Sequence, residues 1–127
     1  MKKLLILALV VYLITMSSTA QAEAPLEVKP PKVLTVSETL KLYADIYDVS
    51  YPEMLQTAKC ESSLNPLATN STAKEYSIGI AQINLKAHTN ITVEQARDPA
   101  FSAEFLAKNI SQGKGSMWTC YRNLFMK

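Results

Sequence analysis

Histidine occurs once, at His88, and cysteine twice, at Cys60 and Cys120. One histidine with no neighbouring Cys or Asp cluster makes neither a zinc site nor a Ser-His-Asp triad, so no metal or organic cofactor is expected. Ser62 and Ser63 stand in no Gly-x-Ser-x-Gly elbow, which argues against a serine hydrolase. Charge is also scarce in net terms: 13 basic residues face 11 acidic ones, and two of the basic ones are Lys2 and Lys3. Beyond those two the balance is even and the signs are mixed along the chain, so no nucleic acid partner is expected. No segment repeats at a fixed period, which excludes a solenoid.

What the chain does have begins with a tripartite start. Lys2 and Lys3 precede an apolar run from Leu4 to Met16, and Ala20 and Ala22 then occupy the small positions of an Ala-x-Ala-like cleavage site. This pattern predicts a signal peptide over 1–22, cut after Ala22. The run is shorter than the roughly 20 residues of a spanning helix, and Ser17, Ser18 and Thr19 end it, so no stable membrane insertion is expected after cleavage. The location read from this is exported, either periplasmic or extracellular. An exported chain meets oxidising surroundings, in which Cys60 and Cys120 are expected to form a disulfide.

Pro25, Pro30 and Pro31 among Lys, Glu and Val make 23–34 an extended linker, and the folded domain is expected over 35–127. Ser37 is read as the cap of a first helix, whose Leu40, Tyr43, Ala44 and Tyr47 recur at helical spacing until Asp48 to Ser50. A second helix opens at Ser50 or Tyr51 with Pro52 at a favoured first position, and runs through Met54, Leu55, Ala58 and Cys60 toward Glu61. Residues 62–77 read as a loop with a short irregular hairpin, and 78–84 as strand or helix. Thr92 caps a short helix through Ala96, and Asp98-Pro99 opens a longer one with Phe101, Phe105, Leu106 and Ile110, stopped by Gly113 and Gly115. The tail holds Trp118, Cys120, Tyr121, Leu124 and Phe125 and is expected to pack on the core. The fold class is therefore mainly α with a short β segment.

The segment richest in chemistry is Cys60-Glu61-Ser62-Ser63-Leu64-Asn65-Pro66, followed by Tyr76-Ser77-Ile78-Gly79-Ile80-Ala81-Gln82-Ile83-Asn84. Glu-Ser-x-x-Asn-Pro joined through a variable loop to Ser-x-Gly-x-x-Gln-Ile resembles the lytic transglycosylase branch of the lysozyme-like superfamily over roughly residues 54–84. The resemblance implies a small lysozyme-like domain that cleaves the β-1,4 bond between N-acetylmuramic acid and N-acetylglucosamine of peptidoglycan strands, acting as a monomer. It makes Glu61 the acid and base, a carboxyl that desolvation keeps protonated. It also puts Ser77, Gly79 and Gln82 on the floor of the sugar groove. There Gly79 lets the backbone be approached and Gln82 either bonds an N-acetyl group or braces the loop.

Hydrolysing lysozymes of the animal type carry an Asp where this chain has Ser77, so the resemblance favours formation of a 1,6-anhydromuramyl end over hydrolysis. Glu75, two residues earlier, would share the side of Ser77 in an extended segment; it is read chiefly as a solvated charge, and as the second carboxylate in the hydrolase alternative. A further alternative is a non-catalytic peptidoglycan-binding protein. The family's Ala-Tyr-Asn ending has only a poor match in Cys120-Tyr121-Arg122-Asn123, through which Tyr121 is carried over as a groove residue beside Glu61. If so, the disulfide braces the site. Trp118 is read as core in preference to a sugar platform, and His88 as surface.

Overall fold

The first helix, α1 (Val36–Tyr47), starts two residues earlier than the sequence suggests: Thr35, and not Ser37, is its cap. Thr35 Oγ1 accepts from the Glu38 amide at 3.2 Å while a Glu38 carboxylate oxygen accepts from the Thr35 amide at 2.9 Å. Ser37 is followed three residues on by Leu40, which offers no reciprocal acceptor, so Thr35-x-x-Glu38 wins the boundary. Lys32 reaches the same carboxylate at 2.6 Å, and with the Thr35 bonds it holds the exposed Glu38 at a pKa of about 2.

Helix α2 (Tyr51–Ser62) follows after three residues, with Ser50 as cap and Pro52 in its first turn, as its sequence predicts. It ends where Ser63 adopts a left-handed conformation, φ 54°, and its amide bonds to Lys59 O. A three-stranded antiparallel sheet comes next: β1 (Thr69–Ser71), β2 (Tyr76–Ile78) and β3 (Ile83–Asn84), in that spatial order. Thr69 pairs with Ile78 and Ile78 with Ile83, so the hairpin expected in 62–77 is β1–β2, and the ambiguous 78–84 segment resolves into a strand end, a tight turn and a return strand. Thr92 with Gln95 forms a second capping box for α3 (Val93–Arg97), and Asp98 caps α4 (Pro99–Ser111) through the Ala100 and Phe101 amides. A short 3₁₀ turn (Gly115–Met117) leads into α5 (Thr119–Phe125).

The structure is a computed structural model and describes residues 29–127, of which Lys32–Lys127 form one unit. Residues 29–34 carry no helix or strand; the expected signal peptide, and the linker before residue 29, lie outside the described residues. The fold is mainly helical with the small sheet at one flank. Its core is Leu40 and Ala44 from α1, Met54 and Ala58 from α2, Ile78, Ile80 and Ile83 from the sheet region, and Ala103, Leu106 and Ala107 from α4. Small residues on α4 let α1 pack close, and α1–α4 is the most extensive helix pair. No helix among the described residues is long and apolar enough to cross a membrane.

Candidate active site

Glu61 occupies the last turn of α2, and its half-buried carboxyl faces a cleft of about 290 Å³. The cleft is lined by Glu61, Glu75, Gln82, Ile83, Asn84, Ala87, His88, Phe105, Met117, Trp118 and Thr119. One carboxylate oxygen, Oε1, accepts from the Cys120 amide at 3.0 Å. Cys120 lies in the first turn of α5, whose own cap residue Trp118 contributes no side-chain bond, so Glu61 takes over the capping of that helix. The bond to Oε1 leaves Oε2 for chemistry in the cleft.

Three effects set the proton affinity of Glu61. Burial, the largest, pushes its pKa up; the Cys120 amide pulls it down; and the nearby Glu75 charge pushes it up again. The net direction is upward, because a half-desolvated carboxylate loses more to missing water than one amide returns. A carboxyl in this condition keeps its proton to higher pH than an exposed glutamate and can deliver it to a basic oxygen held beside it.

The disulfide expected from the sequence is present: Cys60 and Cys120 are bonded, with Cα atoms 6.0 Å apart. Cys60 immediately precedes Glu61, and Cys120 carries the amide that binds it. One covalent bridge therefore fixes α5 to the end of α2 at the point where the carboxyl sits.

The turn after β2 forms the opposite wall and is pinned from three directions. Ser62 Oγ lies 2.8 Å from Ile80 O, Ser102 Oγ accepts from the Ala81 amide at 3.1 Å, and Trp118 Nε1 donates to Ala81 O at 2.6 Å. Gln82, at φ 47°, donates from Nε2 to Ala68 O and Gly79 O, so its nitrogen braces the loop; what remains for a ligand is its carbonyl oxygen. Gly79 has φ 82°, and a Cβ on it would lie 1.8 Å from Ala96 O. Its lack of a side chain thus serves the packing of the turn on α3, and not the approach of a substrate to the backbone.

Ser77 is fully buried and donates to Glu75 Oε1 at 2.5 Å, with Asn70 Nδ2 on Oε2 at 3.4 Å. Glu75 is accordingly held at the cleft and is no free loop charge. Its alternation with Ser77 in an extended segment is the signal that points there. Tyr121 goes elsewhere: its hydroxyl donates to Glu53 Oε2 at 3.0 Å and its ring packs where Gly115 leaves room. It ties α5 to the first turn of α2 and is not among the residues lining the cleft.

Trp118 is 5 % exposed, a core residue whose edge still reaches the cleft. His88 lines the cleft too, packed edge-on against Phe105 at 5.1 Å, where the sequence suggests only surface. Phe105, Asn84, Met117 and Thr119 escape sequence reasoning, since nothing local distinguishes a cleft-lining Phe from a core one. Among the described residues no group of three or more His, Cys, Asp or Glu side chains is placed to hold a metal ion.

No protein-family model matches the chain, and no curated protein matches it significantly.

Proposed function

We propose that this chain is an exported, lysozyme-like lytic transglycosylase that cleaves the bond between N-acetylmuramic acid and N-acetylglucosamine in peptidoglycan, with Glu61 as both acid and base. The observation that carries the reading is the single half-buried carboxyl at the end of α2, raised in proton affinity by burial, with one oxygen held by the Cys120 amide and the other available in the cleft. The Glu61-Ser62 and Ser77-x-Gly79-x-x-Gln82 motifs add to it, because Ser62 ties the end of α2 to the turn after β2 and Gln82 braces that turn against Ala68 and Gly79.

In this mechanism Glu61 Oε2 gives its proton to the glycosidic oxygen as the bond to the muramic acid C1 breaks, and the N-acetylglucosamine side leaves as an alcohol. The C6 hydroxyl of the same muramic acid then attacks C1, and its proton returns to Glu61. The ring closes as a 1,6-anhydro product, and the enzyme regains its starting protonation state with no water consumed.

A specific observation favours a second reading. Glu75 lines the same cleft and acts electrostatically on Glu61, so the pair could instead direct a water to C1, as in hydrolysing glycosidases. A reducing-end assay on purified peptidoglycan separates the two: hydrolysis yields one new reducing end per bond cut, and the proposed reaction solubilises material with none. Binding to peptidoglycan with no solubilisation at all would identify a non-catalytic binder.

A further inference from the structure

The motif resemblance gives Ser77 a place on the floor of the sugar groove, yet its side chain is closed off from solvent. Ser77 is fully buried on β2, and its hydroxyl donates to Glu75 Oε1 at 2.5 Å, the length of a charge-assisted bond. Asn70, its cross-strand partner on β1, brings Nδ2 to 3.4 Å from the other oxygen, Oε2. The backbone of Glu75 is held as well. Thr72 Oγ1 accepts from the Glu75 amide at 3.1 Å, and Glu75 O accepts from the Thr72 amide at 2.8 Å. Lys86 Nζ then closes the turn by donating to Thr72 O and Ala73 O at 2.8 and 3.0 Å.

Lys86 therefore spends its ammonium group on carbonyls of the turn, and Lys74, next to Glu75 in sequence, forms no ion pair with it. Among the described residues the ion pairs are Lys32–Glu38 and Lys41–Asp45, so no cation neutralises Glu75. A carboxylate engaged at both oxygens and left without a counter-ion keeps its field in the cleft that it lines with Glu61. Building on the proposed reaction, we infer that Ser77 is a positioning residue: with Asn70 it holds the Glu75 carboxylate in the cleft as a fixed charge acting on the catalytic acid, and it touches no sugar. The direction of its effect follows. Burial is the main reason that Glu61 keeps its proton, and the Glu75 charge adds to it. Once released from Ser77, Glu75 turns toward water, which screens it, and Glu61 gives up its proton at lower pH. The other titratable group lining the cleft, His88, makes no bond to Ser77 or Asn70 and stays the same in every variant below.

The test is a pH titration of the Glu61 side-chain carboxyl by ¹³C NMR in the disulfide-bonded protein, the signal being identified by its loss in Glu61→Gln. Ser77→Ala should move the midpoint to lower pH by most of the displacement that Glu75→Gln produces, and Asn70→Ala should move it the same way by less, as its longer bond implies. In the Glu75→Gln background, Ser77→Ala should add nothing. A midpoint unmoved by Ser77→Ala, or a displacement that persists when Glu75 is already glutamine, would overturn the inference. Should the buried Ser77→Ala variant fail to fold, the exposed Asn70 decides: an unmoved midpoint in Asn70→Ala would overturn it as well. On peptidoglycan the alkaline limb of kcat/KM should follow the same displacements with KM unchanged, and a raised KM in Ser77→Ala would return Ser77 to the sugar floor. Because the titration needs no cleavage, the two readings fail separately. A protein that shows these displacements and releases nothing loses the proposed reaction and keeps the Ser77–Glu75 device, whereas one that cleaves with the same limb in all three variants keeps the reaction and loses the device.

Discussion

Glu61 is asked to do two things that oppose each other. Its Oε1 caps α5 through the Cys120 amide, which favours the charged form, while burial favours the neutral one and prevails. The sign for activity follows: donation needs the proton, so activity on peptidoglycan should fall as pH rises through the raised pKa of Glu61. Glu75→Gln removes a like charge and should move this alkaline limb to lower pH, measured as kcat/KM against pH. The sign for stability is the same. A carboxyl with a raised folded-state pKa contributes most below its unfolded value, and that contribution is lost as pH climbs through the folded one. Glu61→Gln should thus abolish activity by at least about a hundredfold. It should melt no lower than wild type at neutral pH, because the glutamine carbonyl can still accept from Cys120 and carries no buried charge. A circular dichroism melt beside the activity assay checks both.

Among the elements, the turn from Gly79 to Gln82 and the junction of α2 with α5 carry the site. Gly79→Ala should cost at least about 2 kcal/mol in a denaturant melt, since a Cβ would press on Ala96 O and the residue sits at positive φ. Reducing the Cys60–Cys120 bridge reopens a loop of 60 residues, for which the chain-entropy relation gives about 4 kcal/mol. If the reduced protein stays folded at low temperature, the Cys120 amide is freer to leave Glu61, and the alkaline limb should move up, opposite to the effect of Glu75→Gln. Reduction that changes neither melting nor the pH profile would remove the bridge from the site.

These elements also divide what the sequence discloses from what it does not. Ser50-Tyr51-Pro52, Thr92 with Gln95, and Asp98-Pro99 announce three helix starts because each signal is complete within a few residues. Thr35 with Glu38 is just as local and outcompetes Ser37, whose hydroxyl has no acid three residues on. The pairing of Cys60 with Cys120 is legible because those two cysteines have no other partner in the sequence. Tyr121 on Glu53, and Glu75 and His88 in one cleft with Glu61, depend on contacts across 68, 14 and 27 positions of chain, for which no local pattern exists. The role of Gly79 is of the same kind: its sequence context suggests a ligand, and its neighbour is the backbone of α3.

For the molecule as a whole, the fold is a helical body around Leu40, Met54, Ile80 and Leu106, with a small sheet that brings one wall of a cleft to the end of the helix bearing the other. The core anchors the cleft, whose polar lining is few groups: one carboxyl whose proton affinity burial raises, a second carboxylate close enough to influence it, and the polar turn. The proposed reaction is distinguished by the glycan ends it would create. Mass spectrometry of the muropeptides released from purified peptidoglycan, with Glu61→Gln beside the wild type, reads those ends directly. The expected result is 1,6-anhydromuramyl ends from the wild type and no release by the variant; reducing muramyl ends, or release that survives the loss of the Glu61 carboxyl, would overturn the proposed reaction.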